Sequence, residues 1–103
     1  MTAFQELGVE QVQEMLNGRE VNIVDIRDPA SYTSGHLPSA VSLSDDTVKD
    51  YIENSDKERP LIVYCYHGIS SQGAAAYFSQ QGFKEVYSMR GGFAAWPIAY
   101  PRE

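Results

Sequence analysis

The chain has 103 residues and a mass of 11.5 kDa, close to the commonest domain size, so we expect one domain over residues 1–103. Hydrophobic residues make up 43% and charged residues 21% of the chain, which is ordinary for a globular protein and argues against disorder. The net charge of −6 and the scattered Lys and Arg residues argue against nucleic acid or an anionic membrane as a partner.

Three further features of the sequence concern location and metal content. No apolar run approaches the roughly 18 residues that a membrane span needs, and residues 1–10 are mixed polar rather than an apolar signal-peptide core. A single cysteine cannot form an internal disulfide, which fits a reducing compartment, so we expect a cytoplasmic protein. One cysteine and two histidines, His36 and His67, are too few for a structural zinc site, and we expect no metal.

The first third of the chain alternates between helical and strand patterns. Residues 9–16 carry apolar side chains at helical spacing, and Gly18 is expected to end that helix. The β-branched segment 21–26 predicts a short strand. Asp28 before Pro29 is typical of a helix start, because Asp caps the first turn and Pro fits within it.

The next segment predicts a second strand and a third helix. Residues 40–43 are expected to form a brief strand. Ser44 is expected to cap a helix that reaches about Asn54. Asp45 and Asp46 would then lie in its first turn, where acidic side chains interact favourably with the positive end of the helix dipole.

The second half of the chain continues the alternation. Residues 61–64 are apolar throughout, which predicts a strand buried on both faces, as in a parallel sheet. A polar loop over 65–70, a helix over about 71–81 and a small strand at 86–87 follow, and Gly91-Gly92 leads into a last helical piece. The pattern predicts an α/β fold with a central parallel sheet and helices packed on both faces.

Cys65 is the first loop residue after the buried strand, at the edge of the sheet where α/β proteins bind ligands. A loop that curls around its own sulfur directs backbone N–H groups inward, and the following helix adds its positive end. Such a setting can lower a cysteine pKa to roughly 3.5–7.5, from about 8.5. Position alone leaves two interpretations open: a nucleophile, or a buried structural cysteine.

Four other kinds of site fit the loop poorly. Gly68 and Gly73 have P-loop spacing, but Ala follows where Lys and Ser or Thr are needed. A cysteine phosphatase needs Arg six residues after the cysteine, and that residue is Ser71. A dithiol cycle needs a second cysteine, and a papain-like pair would have to use His36, the one histidine outside the loop.

Three groups of residues, in chain order, carry a resemblance to a known family. They are Val24-Asp25-Ile26-Arg27 with Tyr32 and Gly35-His36-Leu37-Pro38-Ser39-Ala40, then Cys65-Tyr66-His67-Gly68 with Ser70-Ser71, then Gly91-Gly92-Phe93 with Trp96. Each group is weak evidence by itself, but together the three groups, which span residues 24–96, are specific. The sequence resembles a single-domain rhodanese, a sulfurtransferase, and is most similar to the GlpE-type thiosulfate sulfurtransferases.

The resemblance implies both a fold and a reaction. The fold would be rhodanese-like, and Cys65 would take a sulfane sulfur from thiosulfate, hold it as a persulfide and pass it to a thiophilic acceptor. That acceptor would be cyanide, thioredoxin or another thiol, and no cofactor is implied. The backbone N–H groups of the loop would form the persulfide cradle; they belong to Tyr66, His67, Gly68, Ile69, Ser70 and Ser71.

Residues outside the loop have a structural interpretation. The resemblance implies that Asp25, Arg27 and His36 support the loop rather than react. Phe93 and Trp96 are expected to pack the last helical piece on the core. The ring of His67 can be solvated, hydrogen-bonded to the loop or catalytic, and Tyr66 can line the pocket; the sequence leaves these alternatives open.

The loop departs from the family in one respect. Many rhodaneses place cationic side chains there, whereas this chain has none between Cys65 and Ser71. Backbone, helix dipole and the Ser70 and Ser71 hydroxyls would have to bind the thiosulfate dianion, which predicts a high KM. Two rival functions remain: a non-catalytic rhodanese module that binds a partner protein, although this chain retains Cys65, and an arsenate reductase or phosphatase, although Arg is missing at position 71.

Overall fold

The computed structural model describes residues 4–103, so the first three residues of the expected domain, and of the mixed polar N-terminus, lie outside the described part. The strands are β1 (Gln5–Leu7), β2 (Asn22–Asp25), β3 (Val41–Ser42), β4 (Leu61–Tyr64) and β5 (Val86–Met89). The helices are α1 (Val9–Gly18), α2 (Pro29–Ser34), α3 (Val48–Asn54), α4 (Ser70–Gln80) and a 3-10 turn at Phe93–Ala95. None of the helices within 4–103 is long and apolar enough to cross a membrane.

The five strands form one parallel sheet in the order β1-β5-β4-β2-β3. All four residues of the central strand β4 are buried, as their continuous apolar sequence predicts. In this register Asp25 lies beside Tyr64, and Val63 lies beside Ser88. Because the strands are parallel, the segments that follow β2, β4 and β5 meet at one edge of the sheet.

Two hydrophobic clusters lie on opposite faces of the sheet, as the predicted fold requires. Side chains of β4 alternate between them, with Leu61 and Val63 on one face and Ile62 and Tyr64 on the other. The first cluster packs against α3 and α4 through residues such as Ile52 and Phe78. The second packs against α1, α2 and the C-terminal segment; its helical and C-terminal members include Val12, Leu16, Tyr32, Phe93 and Trp96.

One strand is absent from the sequence prediction. Gln5–Leu7 pairs with β5 at the edge of the sheet, and two of its three residues are exposed. An edge strand of three residues leaves little hydrophobic periodicity to recognise, since only Leu7 packs against a core cluster.

The predicted start of the third helix is wrong. Residues before Val48 form a turn in which the amides of Thr47 and Val48 both donate to the carbonyl of Ser44, at 3.1 and 3.0 Å. The Ser44 amide donates to Thr47 Oγ1 at 3.0 Å and closes that turn. Thr47 is therefore the helix cap, and Asp45 and Asp46 lie in the turn rather than in the helix. The cap at Asp28 is confirmed, because its carboxylate accepts the Ser31 amide at 3.0 Å.

Candidate active site

Cys65 lies directly beyond β4 and is only 7% exposed. Its Sγ accepts hydrogen bonds from the amides of Gly68, at 3.1 Å, and Ser71, at 3.3 Å. The Ser71 hydroxyl oxygen lies 3.4 Å from the same sulfur. Ser71 is the second residue of α4, so its amide is one of those that the helix leaves without a partner. Loop and helix start together therefore direct donors at the sulfur, as the sequence predicts.

These donors decide the ionisation of the thiol. Burial by itself raises the pKa of Cys65. The Ser71 hydroxyl and the amides of Ser71, Gly68 and His67 favour the thiolate, however, and together they hold the pKa of Cys65 below its ordinary value. The interpretation of Cys65 as an inert core residue does not account for this arrangement, because an apolar site would raise the thiol pKa.

Gly68 makes the tight curl of the loop possible. Its φ of +86° is in the left-handed region that favours glycine. A Cβ at this position would lie 2.7 Å from the amide nitrogen of Gly91, so the neighbouring turn leaves no room for a side chain. Gly68 is therefore required both by its conformation and by its close approach to the turn after β5.

The turn after β5 hydrogen-bonds to the side of the cysteine loop that faces away from the sulfur. The amide of Phe93 donates to the carbonyl of Cys65, and that of Ala94 donates to the carbonyl of Tyr66, both at 2.9 Å. A Cβ on Gly92 would lie 2.5 Å from the carbonyl carbon of Tyr66. With these two carbonyls bound on the outside, the loop can turn its amides toward the sulfur. From the sequence, Gly91-Gly92 was expected to lead into a last helical piece and is part of the family resemblance; the adjacent glycines were the signal for this close contact.

The side chains of the loop point mostly to solvent. Tyr66 is 49% and Ile69 77% exposed. The exposed His67 ring lies 5.3 Å from the Tyr66 ring, centroid to centroid, at an interplanar angle of 39°. Ser70 is exposed as well, whereas Ser71 is fully buried. Apart from Ser71, the loop offers backbone rather than side chains to Cys65.

Asp25 and Arg27 form a buried ion pair at the end of β2. Arg27 Nη2 donates to Asp25 Oδ2 at 2.7 Å, and Arg27 Nε lies 3.1 Å from both carboxylate oxygens. Nη2 also donates to the carbonyl of Gly35 at 2.7 Å. Burial lowers the pKa of Arg27, but its hydrogen bonds with Asp25 and the charge of that carboxylate outweigh burial and raise it. Arg27 therefore stays charged, and its contacts join β2 to the loop after α2.

The Arg27 guanidinium also lies among three aromatic rings. Its central carbon is 4.1 Å from the ring centroid of Phe93, 5.5 Å from that of Tyr64 and 5.6 Å from that of Tyr66. Such contacts stabilise a cation beside aromatic faces. Arg27 thus connects β2, the cysteine loop and the turn after β5, and its role as a support of the loop stays a prediction.

His36 makes its contacts away from Cys65. Its Nδ1 lies 2.9 Å from the carbonyl oxygen of Tyr32, and its ring stacks on the Tyr32 ring at 3.9 Å. The backbone of His36 exchanges two hydrogen bonds with Glu103, of 3.0 and 2.8 Å. His36 joins α2 to the C-terminal residues, and the described contacts do not pair it with the sulfur as a papain-like base would require.

A cavity of about 240 Å³ opens beside the loop, with Arg27, Tyr66, Phe93 and Arg102 among its lining residues. Arg102 lies with its guanidinium carbon 5.0 Å from the Phe93 ring centroid and donates to the carbonyls of Trp96 and Pro97. The loop sequence between Cys65 and Ser71 contains no Lys or Arg, and the fold brings two arginines to its side from distant segments. Arg27 is neutralised by Asp25, whereas Arg102 makes no ion pair within the described residues.

A buried, thiolate-stabilising cysteine at the carboxyl edge of a parallel sheet defines a class of α/β domains suited to cysteine nucleophile chemistry. The family model described as "Rhodanese-like domain" matches residues 8–99. The chain belongs to the rhodanese-like domain family.

Curated relatives and solved structures agree with this family. Relatives named thiosulfate sulfurtransferase GlpE include one from Pseudoalteromonas translucida, 47% identical over 95% of this chain and 93% of its own, and one from Pseudomonas syringae, 46% identical over 100% and 96%. The rhodanese-like domain of an Anabaena protein superposes with a TM-score of 0.84 at 26% identity, covering 95% of this chain and 77% of its own.

A second solved structure bears on one of the rival functions. It is a protein of unknown function from Rhodopseudomonas palustris, described as a possible tyrosine phosphatase. It superposes with a TM-score of 0.82 at 27% identity and covers 98% of this chain and 86% of its own.

Proposed function

We propose that this chain is a thiosulfate sulfurtransferase that moves a sulfane sulfur from thiosulfate to a thiophilic acceptor through a persulfide on Cys65. The observation that carries the proposal is the position of Cys65 Sγ, 3.1 and 3.3 Å from two inward amides at the sheet edge. Identity of 46–47% to relatives named for this activity supports the choice of donor.

The donor half-reaction is a displacement at sulfur. The Cys65 thiolate attacks the outer, sulfane sulfur of thiosulfate, an S–S bond forms, and the S–S bond of thiosulfate breaks. Sulfite leaves with the electron pair, so that the enzyme keeps one sulfur and one negative charge on the new terminal sulfur. No general base is needed, since cysteine is an intrinsically good nucleophile and the lowered pKa of Cys65 increases the thiolate fraction.

The cradle would then hold the charged outer sulfur. The amides of Tyr66, Ile69 and Ser70 make no hydrogen bond to another residue within the described part of the chain, and they belong to the same loop and helix start. Donors set in place before charge develops stabilise an anion most effectively. We assign the cradle to the backbone of Tyr66 through Ser71, with Asp25, Arg27 and His36 as structural supports.

The acceptor half-reaction returns the enzyme to its starting state. A nucleophile such as cyanide, or a thiolate of thioredoxin or another thiol, attacks the terminal sulfur, and Cys65 leaves as the thiolate. That leaving group is favoured by the same donors that lower its pKa. We propose a cytoplasmic setting, which the single cysteine supports, and one rhodanese domain over residues 1–103, which the family match over 8–99 supports.

A phosphatase is the second candidate, because one solved neighbour is described as a possible tyrosine phosphatase. Gripping a phosphoryl group takes a bidentate cation at the end of such a loop. Position 71 instead carries a neutral serine, buried and hydrogen-bonded to Ser88 and Cys65. This difference favours sulfur transfer over phosphate-ester hydrolysis.

The experiment compares wild type and Cys65→Ser in thiosulfate:cyanide sulfur transfer, measured as thiocyanate formed. We expect the variant to keep its fold, checked by circular dichroism, and to lose activity by orders of magnitude, because no other cysteine can carry the sulfur. Near-wild-type activity of the purified variant would overturn the proposal. A high KM for thiosulfate remains a prediction of the same assay.

A further inference from the structure

A second buried hydroxyl lies behind Ser71. Ser88 Oγ, on β5, is 2.7 Å from Ser71 Oγ, which in turn is 3.4 Å from Cys65 Sγ. Ser71 and Ser88 are both fully buried. Ser88, Ser71 and Cys65 therefore form a continuous polar chain that runs from the interior of the sheet to the sulfur, and no part of the reaction described above uses its inner end.

Ser88 occupies a position where the strand pattern predicts an apolar residue. Val86, two residues earlier, belongs to the core cluster beneath α4, and side chains two apart on a strand share a face. A buried hydroxyl lowers stability unless it is hydrogen-bonded. Among the described residues, Ser71 Oγ is the partner of the Ser88 hydroxyl. The hydroxyl of Ser88 is thus directed at one atom, one step from the cysteine.

The direction of the hydrogen bonds follows from counting protons. Each serine hydroxyl has one proton to donate. A thiolate can only accept, so in that state Ser71 donates its proton to Cys65 Sγ and Ser71 Oγ accepts the proton of Ser88. If a protonated thiol donated to Ser71 instead, Ser71 would donate to Ser88, and the Ser88 proton would be buried without an acceptor. The chain is fully satisfied when the sulfur is an anion.

We propose that Ser88 is a positioning residue that orients the Ser71 hydroxyl as a hydrogen-bond donor to the sulfur of Cys65. By donating to Ser71 Oγ, Ser88 competes with a thiol proton for that oxygen, turns the Ser71 proton toward the sulfur and polarises the Ser71 O–H, which favours the thiolate over the thiol. The extension to sulfur transfer rests on the proposed function: the same donor would face the leaving thiolate when the acceptor removes the sulfur.

Other charged or titratable groups lie on the elements around Cys65 but do not hydrogen-bond to its sulfur. They are Tyr66 and His67 in the loop, Tyr64 at the end of β4, Tyr77 on α4, Asp25 at the end of β2 with Arg27 after it, Tyr87 on β5 with Glu85 before it, and Arg90 after β5. Asp25 and Arg27 neutralise each other, and Arg90 Nε lies 4.0 Å from Glu6. The side-chain donor at the sulfur is Ser71, so a change at Ser88 has one short route to the thiol.

The test is the pH dependence of iodoacetamide alkylation, which reports on the single cysteine without using thiosulfate. We expect Ser88→Ala to raise the apparent pKa of Cys65 by about 0.5 to 1, the loss of one modest hydrogen-bond contribution. Ser71→Ala should raise it further. Adding Ser88→Ala to Ser71→Ala should change nothing more, because Ser88 acts through Ser71.

Two controls separate the hydroxyl from packing. Val86→Ala removes side-chain volume from the same strand face and should lower Tm without changing the alkylation pKa. Thr and Val side chains have nearly the same shape, but only Thr carries a hydroxyl. Ser88→Thr should therefore retain the wild-type alkylation pKa of Cys65, and Ser88→Val should raise it. This pair also serves if Ser88→Ala does not fold.

Two results would overturn the role of Ser88: an unchanged pKa in the variants that lack the hydroxyl, or an equal shift in Val86→Ala. Failure of the proposed function would look different. In that case thiosulfate would leave wild-type Cys65 unmodified, while the alkylation pKa would still respond to Ser88.

Discussion

At the scale of single residues, neutral groups lower the pKa of Cys65. Burial opposes the thiolate, and the described structure sets no Lys, Arg or His side chain within hydrogen-bonding distance of Sγ to offset it. Hydrogen bonds to a charged group contribute about 1.5–3 kcal/mol each, so the loop amides and the Ser71 hydroxyl together suffice to reverse the effect of burial. The nucleophile therefore depends on backbone geometry more than on any neighbouring side chain except Ser71.

His67 provides a direct check on this dependence. His67→Gln keeps the loop amide and removes an exposed ring whose described contact is with Tyr66. We expect kcat/KM for thiosulfate to stay within about threefold of wild type, as for other exposed substitutions. A loss of tenfold or more in a folded variant would instead assign the imidazole a direct part in substrate binding or proton transfer.

At the scale of elements, the site consists of three segments that follow three neighbouring strands. The cysteine loop after β4 is bound on its outer side by the turn after β5, and Arg27 after β2 contacts rings from both. Each segment is short, so small changes in one backbone alter the donors that reach the sulfur. Two features of these segments can be tested by substitution: Gly68, where the loop contacts the turn, and the buried ion pair between Arg27 and Asp25.

Gly68→Ala tests the contact between loop and turn. The substitution places a Cβ at φ +86°, 2.7 Å from the Gly91 nitrogen. We expect a loss of about 1–2 kcal/mol of unfolding free energy from the backbone conformation alone, with a further loss from the clash, and a marked fall in kcat/KM. Chemical denaturation and the sulfur-transfer assay would measure both.

Gly73→Ala is the matched control for Gly68. Gly73 lies within α4, and a Cβ there meets nothing within 4 Å. Alanine should therefore stabilise the fold by about 0.4–1 kcal/mol and leave activity unchanged. If both variants behaved alike, the special geometry assigned to Gly68 would be wrong. The φ of +86° also means that Gly68→Pro could not adopt the native loop, since proline holds φ near −65°.

Arg27→Met tests the buried pair. Removing the guanidinium leaves the fully buried Asp25 side chain without its ion-pair partner, and breaking a buried pair in this way typically lowers the unfolding free energy by about 3–5 kcal/mol. Urea denaturation would measure the loss. As a control, Arg59→Met breaks exposed pairs with Glu20 and Asp56 and should cost less than about 1 kcal/mol. Equal effects of the two substitutions would contradict a structural role for Arg27.

At the scale of the whole molecule, the sequence contained enough to predict the sheet and the position of the nucleophile. The continuous apolar run at 61–64 predicted the central strand, and the loop after it predicted a cysteine surrounded by amides. The family resemblance and the α/β prediction are both confirmed by the family match and the parallel sheet.

The features that the sequence did not reveal are long-range. Ser88 is an ordinary serine in a short strand until the sheet brings it within 2.7 Å of Ser71. The hydrogen bonds from Phe93 and Ala94 to the loop depend on where the chain returns after β5, and Arg102 reaches the side of the site from near the C-terminus. Local sequence patterns cannot predict such contacts, because the two partners are far apart in the sequence; Ser71 and Ser88, for example, are 17 residues apart.

The molecule should discriminate between sulfur and phosphorus substrates. Since position 71 is serine, the loop has no bidentate cation for a phosphoryl group. We expect no detectable hydrolysis of an aryl phosphate under conditions in which thiosulfate is turned over, measured as release of inorganic phosphate. Phosphate release that Cys65→Ser abolishes would favour the phosphatase interpretation.

The most direct measurement is the intact mass of the protein after incubation with thiosulfate and removal of excess reagent. The persulfide account predicts a gain of one sulfur atom, absent from Cys65→Ser, lost on treatment with cyanide and matched by an equal amount of thiocyanate. An unchanged mass in wild type that nevertheless produces thiocyanate, or the same gain in Cys65→Ser, would contradict a persulfide on Cys65.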